Sequence, residues 1–287
     1  MPSTFYISPT GNDTTGNGSS GNPWATISKA FTSSADGDTI VCAAGTYTWV
    51  SQNFSTGRTV QGATLSNGLP TTIFDGGSGN IDWRWSGTMV FTNIMFQNLI
   101  NTSSKASVFY TNNSVSNKTA TFTNCVFKTI KFYSNFVTGG FNATSNTYAF
   151  VNCLFWNVYN TSGIGNYQGV FMDATGSGTI TLTGCVMYFG SGYWTNDSLS
   201  TIVMVNQSTW SLTIKNTIIQ NASGTTMKWS GGTGTYTQSV TYCCLNSLTS
   251  GPSGTGNITS DPLFVDAAGG NFRLRPTSPC LNTGSAV

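Results

Sequence analysis

The stretch Phe122-Thr-Asn-Cys-Val-Phe127 decides the fold, because the chain repeats its pattern at a nearly constant interval. Five further segments align with it without gaps: Phe91-Thr-Asn-Ile-Met-Phe96, Phe150-Val-Asn-Cys-Leu-Phe155, Leu182-Thr-Gly-Cys-Val-Met187, Ile214-Lys-Asn-Thr-Ile-Ile219 and Val240-Thr-Tyr-Cys-Cys-Leu245. Their third residues are separated by 31, 28, 32, 32 and 26 positions. A period of this length is typical of solenoids, in which each repeat buries its apolar face against its neighbours.

The polarity within each repeat predicts two strands joined by a sharp bend. The first and sixth positions are apolar, the fourth is apolar or Cys in five of the six repeats, the second is polar in five, and the alternation is offset across the third position. That third residue is Asn in four repeats and Gly in one, the residue types that adopt a left-handed backbone at least cost. β-Branched and aromatic residues around the bend favour strands over helices. An irregular loop is expected between one repeat and the next.

Equivalent residues of successive coils should stack about 4.8 Å apart in parallel sheets. The repeat therefore predicts an interior apolar column, formed by Phe96, Phe127, Phe155, Met187, Ile219 and Leu245. It also predicts a corner column whose amides bond from coil to coil, formed by Asn93, Asn124, Asn152 and Asn216. A third column of small buried hydrophobes comprises Cys125, Cys153, Cys185 and Cys243. With no CxxC pair and no His, neither a metal site nor a cofactor is expected.

Both ends of the chain carry segments suited to covering a solenoid. After Pro23, the residues Trp24, Ile27 and Phe31 share one face of a short predicted helix. Ser260-Asp-Pro-Leu-Phe-Val-Asp266 and Asn271-Phe-Arg-Leu-Arg-Pro-Thr-Ser-Pro-Cys280 stand near the other end. We therefore expect one β-helix domain over 1–287, with an N-terminal cap and first coil in 1–50, coils in 51–250 and a C-terminal cap in 251–287.

These end segments and the Asn-Cys repeat between them resemble right-handed parallel β-helix repeat proteins, in the broad pectate-lyase-like class of phage and bacterial surface proteins. The resemblance implies an all-β fold, a right-handed parallel β-helix with a short N-terminal capping helix and a C-terminal capping segment. Members of the class include polysaccharide lyases and hydrolases, phage tailspikes, adhesins and inert structural coils. The resemblance therefore implies architecture and leaves activity open.

Composition excludes several classes of partner. Charged residues make up 7% of the 287 residues and the net charge is +2, so the chain has no basic patch of the kind that binds nucleic acid. Its apolar runs are far shorter than the roughly 20 residues that span a bilayer, so no membrane partner is expected. The segment Met1–Tyr6 lacks the basic and apolar regions of a secretory signal. The expected location is a virion or cell exterior, reached without a signal peptide in this chain.

Catalytic residue types are scarce. The chain has no His, and all nine of its acidic residues are Asp. A glycosidase needs two carboxyl groups roughly 5–9.5 Å apart, and neighbouring coils could bring together Asp173 and Asp197. Asp82 is the third candidate carboxylate, should the protein be an enzyme. Our first expectation is nevertheless that the chain has no catalytic residue.

Aromatic side chains outside the interior columns could form stacking platforms for sugars. Alternatively, long loops bury them, and the alternation in Ile81-Asp-Trp-Arg-Trp-Ser86 equally permits an inward face for both of its tryptophans. The candidate glycan-binding residues are Trp83, Trp85, Tyr193, Trp194, Trp210 and Trp229.

The predicted function is that of a non-enzymatic structural β-helix on a surface, most consistent with a virion component such as a phage decoration, head-fibre or tail-associated protein. Expected partners are other copies of itself, as a homotrimer by analogy, other virion or surface proteins, and polysaccharide. The alternative is a polysaccharide-cleaving tailspike-type lyase or hydrolase. A lectin-like adhesin that binds glycan without cleaving it is the third hypothesis.

Overall fold

The repeats wind into a right-handed parallel β-helix with three sheets, and each coil contributes one strand to each sheet. The computed structural model describes residues 1–79, 81, 83–101, 109–111, 115–132, 135–138, 144–160, 169–173, 177–190, 201–205, 209–222, 227–231, 235–249 and 251–285. Within these residues the fold is all-β with one short helix, which confirms the predicted all-β right-handed parallel β-helix.

Sheet 1 collects the strands that precede the bends. Its neighbours all pair in parallel. In spatial order its nine strands are β1 (Thr4–Ile7), β2 (Thr39–Cys42), β5 (Arg58–Gln61), β8 (Met89–Thr92), β12 (Thr119–Thr123), β15 (Asn146–Val151), β18 (Ser177–Thr183), β21 (Thr209–Lys215) and β24 (Thr235–Thr241).

Sheet 2 collects the strands that follow the bends, again in parallel. In chain order these are β3 (Gly45–Thr48), β6 (Thr72–Asp75), β9 (Ile94–Gln97), β13 (Val126–Phe132), β16 (Leu154–Asn160), β19 (Val186–Phe189), β22 (Ile218–Asn221) and β25 (Cys244–Asn246), with β10 (Ile100–Asn101) paired to β13. Phe96, Phe127 and Phe155 are direct register partners. The predicted interior column then continues in register to Leu245.

Sheet 3 lies where the sequence predicted an irregular loop, and this prediction was incomplete. Short strands here are separated by connections of unequal length, so a gapless repeat search does not align them. The strands are β4 (Gln52–Phe54), β7 (Trp83–Trp85), β11 (Phe109–Thr111), β14 (Asn135–Thr138), β17 (Gly169–Asp173), β20 (Thr201–Val205), β23 (Met227–Gly231) and β26 (Leu248–Thr249).

The bend between sheets 1 and 2 is a left-handed residue in all six aligned repeats. Asn and Gly adopt this conformation readily, whereas other residues pay about 1–2 kcal/mol for it. The φ angles are 58° at Asn93, 53° at Asn124, 52° at Asn152, 66° at Gly184, 52° at Asn216 and 55° at Tyr242. The bend is therefore a property of the repeat position, and it holds even where a tyrosine occupies it.

Two aromatic stacks fill the interior. In sheet 1 the rings of Phe91, Phe122 and Phe150 stack at 5.2 and 5.0 Å with nearly parallel planes. In sheet 2 the ring of Phe127 lies 5.4 Å from that of Phe96. Rings of the two stacks meet edge to face, as in the Phe122–Phe127 pair. Burying each phenyl ring contributes about 1.5–3 kcal/mol to the stability of the fold. The contacts that stack one coil on the next are therefore also the contacts that form the core.

Helix α1 (Ile27–Ser33) lies ahead of the first coil. Its N-cap Thr26 accepts a hydrogen bond from the amide of Lys29, which fixes the start of the helix. Trp24 lies before the helix and forms a parallel bridge with Ile7 instead, although its side chain is buried as the apolar periodicity indicated. In the described part of the chain, no helix has the length and hydrophobicity needed to cross a bilayer.

The buried guanidinium of Arg58 ties this helix to the second coil. Its Nε donates to Ser34 Oγ, and its Nη1 donates to Thr56 Oγ1 and the Gly57 carbonyl, each at 2.7 Å. Its Nη2 donates to the carbonyls of Ser34 and Phe31 near the end of the helix. A side chain that satisfies so many buried acceptors is costly to remove, because the acceptors lose their partners.

After the last coil, the chain folds back over the strand ends. The amide of Tyr242 donates to the Thr255 carbonyl, and the amide of Leu245 donates to the Ile258 carbonyl. Two antiparallel strands, β27 (Phe264–Asp266) and β28 (Asn271–Leu274), then form a hairpin. These bonds give the edges of the final coil partners within the same chain.

We predict that Arg58→Met lowers the free energy of unfolding by about 2–4 kcal/mol, because it leaves buried carbonyls without donors. The measurement is urea unfolding followed by tryptophan fluorescence. Arg275→Met is the matched control, since Arg275 is exposed and makes one side-chain bond, to the Val265 carbonyl. Equal losses in the two variants would contradict this account of Arg58.

We also predict a loss of stability at acidic pH that depends on Asp38. Backbone amides of Ala35 and Ser3 donate to its carboxylate and hold its pKa below the usual value. A group whose pKa is lower in the folded state stabilises the fold above its unfolded pKa of about 3.9 and loses that effect as pH falls through the folded value. The melting temperature of Asp38→Asn should therefore fall less than that of the parent between pH 5 and pH 2. If the melting temperatures of the two proteins fell equally with pH, the acid sensitivity would not arise from Asp38.

Candidate functional site

A concave surface with a volume of about 710 Å³ runs along the outside of the Asn bends. We call it the corner groove. Residues 124–126, 152–154, 184 and 186 form its floor, while 65–69 and 269–273 form its two walls. Because the floor comes from consecutive coils, its features recur about every 4.8 Å along the helix axis.

An amide ladder forms one edge of the floor. Asn124 Nδ2 donates to Asn93 Oδ1 at 3.1 Å, and Asn152 Nδ2 donates to Asn124 Oδ1 at 3.5 Å. The next residue of the corner is Gly184, and a Cβ placed there would lie 2.6 Å from Asn152 Oδ1. The ladder therefore ends inside the groove, where the amide oxygen of Asn152 faces a residue without a side chain.

Asn216, the fourth member of the expected Asn column, bonds to the C-terminal tail. Its Nδ2 donates to the Ser285 carbonyl at 2.8 Å, and its Oδ1 accepts from the Ser285 amide at 2.9 Å. Gly184 separates it from the ladder by one coil. This pair of bonds shows that a corner amide can hold a backbone peptide group by donating and accepting at the same time.

An aliphatic row forms the other edge of the floor. Val126, Leu154 and Val186 are direct register partners in sheet 2. Each immediately precedes a residue of the interior column, so the alternation of a strand turns it outward. On each of three coils the floor therefore has an amide or a glycine beside an aliphatic side chain. Leu154 and Val186 are partly exposed there, whereas Val126 is buried.

One wall is a tight turn between β5 and β6. Asn67 and Gly68 both have positive φ, 53° and 83°, and Ser66 and Leu69 exchange two backbone hydrogen bonds. This is the geometry of a two-residue hairpin turn, for which Asn-Gly is the preferred sequence. Sequence reasoning missed this wall, although the Asn-Gly pair was a signal that could have located the turn.

The other wall is the β27–β28 hairpin, which packs on the outer face of sheet 2. Phe272 meets Trp156 edge to face at 5.5 Å, and Tyr188 at 5.6 Å. Gly270 has a φ of 88°, and a Cβ there would lie 2.5 Å from the Trp156 ring. The Lys128 ammonium lies 4.4 Å from the centre of the same ring. Aromatic contacts thus fix the hairpin beside the floor.

The groove carries little charge. Of its lining residues that the structure describes, Arg273 alone is charged. The described carboxylates lie elsewhere and accept hydrogen bonds from backbone amides in turns and caps: Asp13, Asp36, Asp38, Asp75, Asp261 and Asp266. The described lining therefore offers hydrogen bonds and apolar contact, and supplies no carboxylate for acid–base chemistry.

The three candidate catalytic acids do not lie in the described lining of the groove. Asp82 and Asp197 fall outside the described residues, and Asp173 ends β17 with a side chain that is likewise outside them. β7, which begins one residue after Asp82, is separated from β17 by β11 and β14. Three strand spacings, about 14 Å, therefore separate β7 from β17.

The structure corrects the glycan-stacking role expected for three tryptophans. Trp83 and Trp85 are fully buried, and Trp83 stacks on Trp49 at 3.8 Å. Trp210 is also buried and stacks on Tyr148. The three side chains fill the interior, where a sugar cannot reach them. Tyr193 and Trp194 lie outside the described residues, as does the side chain of Trp229.

The Cys column lies inside the coil. The four thiols are buried and donate to carbonyls of the preceding coil at 3.3–3.6 Å: Cys125 to Phe91, Cys153 to Phe122, Cys185 to Phe150 and Cys243 to Ile214. Burial raises the pKa of Cys153 well above its usual value and that of Cys243 to about 11. Within the described residues, no three metal-ligating side chains lie close enough to hold an ion.

Comparison with known proteins yields similarity at the level of structure. No family profile and no curated protein matches the chain. A rhamnogalacturonan lyase aligns with 84% of this chain and 68% of its own, at 15% identity and a TM-score of 0.48. A pectate lyase aligns with 100% and 92%, at 15% identity and a TM-score of 0.36. The pectin methylesterase from Aspergillus niger aligns with 81% and 86%, at 12% identity and a TM-score of 0.32. These similarities describe the fold and not the activity of this chain.

We predict that the corner tolerates Asn152→Gly better than Asn152→Ala. Both variants remove the ladder amide, but alanine must also adopt the left-handed conformation. Asn152→Ala should be less stable than Asn152→Gly by about 1 kcal/mol in urea unfolding. Gly184 occupies the equivalent corner position and is the natural precedent. If the alanine variant were as stable as the glycine variant, the left-handed bend would not constrain this position.

Proposed function

We propose that this protein is a non-enzymatic surface β-helix that binds an extended polysaccharide along the corner groove. The observation that supports the proposal is the chemistry of the groove floor. Amide and aliphatic groups recur on successive coils, beside Arg273 and without a carboxylate among the described lining residues.

The repeat of the floor suits a linear polymer of sugars. The coil spacing is about 4.8 Å, close to the length of one pyranose unit in an extended glycan chain. Amides donate and accept hydrogen bonds, so Asn124 and Asn152 can serve the hydroxyls of successive units. The aliphatic row can cover the C–H faces of the rings, because a pocket for an uncharged ligand combines apolar contact with a few placed polar groups.

The amide of Asn152 is the most suitable polar group for this role. Its oxygen faces Gly184, whose missing side chain leaves room beside it. Asn216 already binds the backbone of Ser285 in the C-terminal tail through both its amide nitrogen and its amide oxygen. We infer that Asn152 can engage a glycan hydroxyl in the way that Asn216 engages Ser285.

We propose in addition, as the sequence led us to expect, that the protein is a virion component and assembles as a homotrimer. Its support is the resemblance stated above and the low charge of the chain, +2 overall. Light scattering coupled to size-exclusion chromatography of the full chain separates a monomer from a trimer. A monomer at micromolar concentration would remove the homotrimer from the proposal.

We predict that Val186→Glu weakens oligosaccharide binding at least about tenfold, which corresponds to about 1.4 kcal/mol. The new carboxylate stands in the aliphatic row and must lose water when the groove is occupied. The measurement is calorimetric titration of the full chain with linear oligosaccharides, neutral (xylan- and cellulose-derived) and acidic (polygalacturonate-derived). Ile218→Glu is the matched control, because Ile218 is the register partner of Val186 one coil beyond the groove.

The binding and cleavage hypotheses are separated by a second readout on the same mixtures. The proposal expects that a bound oligosaccharide keeps its length, with no new reducing ends and no unsaturated products. Cleavage that disappears in Asp82→Asn, Asp173→Asn or Asp197→Asn would replace the proposal with the enzyme. Absence of binding to every probe, or equal weakening by the two Glu variants, would remove the groove as a glycan site.

A further inference from the structure

Cys244 differs from the four cysteines of the interior column. It follows Cys243 directly, so the alternation of the strand turns it to the outside of the coil. Its register partner is Ile218, in the outward row that also contains Val186. It is nevertheless buried, because the chain that follows the last coil passes over it. Cys244 therefore lies between the solenoid and its C-terminal segment.

Three hydrogen bonds connect Cys244, the covering segment and a second cysteine. Cys244 Sγ donates to the Ser260 carbonyl at 3.1 Å. Two residues further, the Pro262 carbonyl accepts from Ser278 Oγ. Ser278 Oγ in turn accepts from the amide of Cys280 at 3.1 Å. These bonds bring Cys280 to the covered side of Cys244, where each thiol lies close enough to shift the pKa of the other.

We propose that Cys244 and Cys280 are a disulfide-forming pair that ties the C-terminal segment to the last coil. The bond would join β25 of sheet 2 to the segment that follows the β27–β28 hairpin. The tied loop therefore contains the hairpin, one wall of the corner groove. This inference does not depend on glycan binding, because it concerns the attachment of the segment to the solenoid.

Accessibility distinguishes this pair from the interior column. Cys153 also has neighbouring thiols, those of Cys125 and Cys185, but all three are buried and donate to carbonyls inside the coil. Cys280 is partly exposed. The neighbouring Cys244 thiol lowers the pKa of Cys280, whereas burial raises that of Cys153. The thiolate is the reactive form of a cysteine, so Cys280 is the residue that reacts first.

The chemistry requires an oxidant, which we specify as a small-molecule disulfide such as glutathione disulfide. The Cys280 thiolate attacks one sulfur, forms a mixed disulfide and releases one glutathione thiolate. Cys244 then loses its proton to water and attacks the Cys280 sulfur, releasing the second glutathione thiolate. One disulfide bond is broken and one is formed, and the two protons from the cysteines go to the two glutathiones.

The test is a count of free thiols by mass spectrometry. The folded full chain is oxidised with glutathione disulfide, quenched with acid, unfolded and alkylated. Of the seven cysteines, two should escape alkylation, and a peptide map should show Cys244 joined to Cys280. The bond should raise the melting temperature by about 5–10 °C, because it closes a loop in the unfolded chain.

Two variants complete the test. Cys280→Ser should leave no disulfide and abolish the shift, and its folding is checked by circular dichroism. Cys185→Ser is the matched control from the interior column and should still form the bond. Alkylation of all seven cysteines in the folded, oxidised parent chain, or a disulfide within the interior column, would overturn the proposal.

Discussion

The left-handed bend between sheets 1 and 2 is the constraint on which the rest of this structure depends. It reverses the alternation of the chain at one residue per coil, so the aromatic residues of both sheets face the same interior. It also fixes the register, since the bends of adjacent coils must lie above one another. A different backbone conformation at one corner would turn one strand of that coil inside out, because a strand places successive side chains on opposite faces.

The same alternation connects the core to the candidate site. Placing Phe127 and Phe155 inside places Val126 and Leu154 outside, in register and beside the corner amides. The groove floor is therefore the outer side of the packing that stabilises the coils. Its two walls come from regions far apart in the chain, the Asn67-Gly68 turn and the hairpin at 264–274. The C-terminal segment thus acts both on the end of the solenoid and on the shape of the groove.

The local sequence pattern predicted much of the fold but little of the candidate site. The six-residue repeat predicted sheets 1 and 2, the bends and the Phe column, because each repeat bears the same local signal. It did not reveal sheet 3, whose strands vary in length and spacing. The tryptophans of β7 show a further limit of sequence-based prediction. Alternation with a period of two does not say which face of a strand is inward, and both tryptophans lie in the core. The walls of the groove depend on contacts such as Phe272 with Trp156, which no local pattern contains.

The most direct test of this account is a crystal structure of the full chain soaked with the tightest-binding oligosaccharide from the titration panel. The account predicts sugar units along the corner groove, with hydroxyls bonded to Asn124 and Asn152 and rings against Leu154 and Val186. The glycosidic bonds of the bound oligosaccharide should be intact. A sugar bound beside sheet 3, with a glycosidic bond between two of Asp82, Asp173 and Asp197, would contradict the account and identify an enzyme.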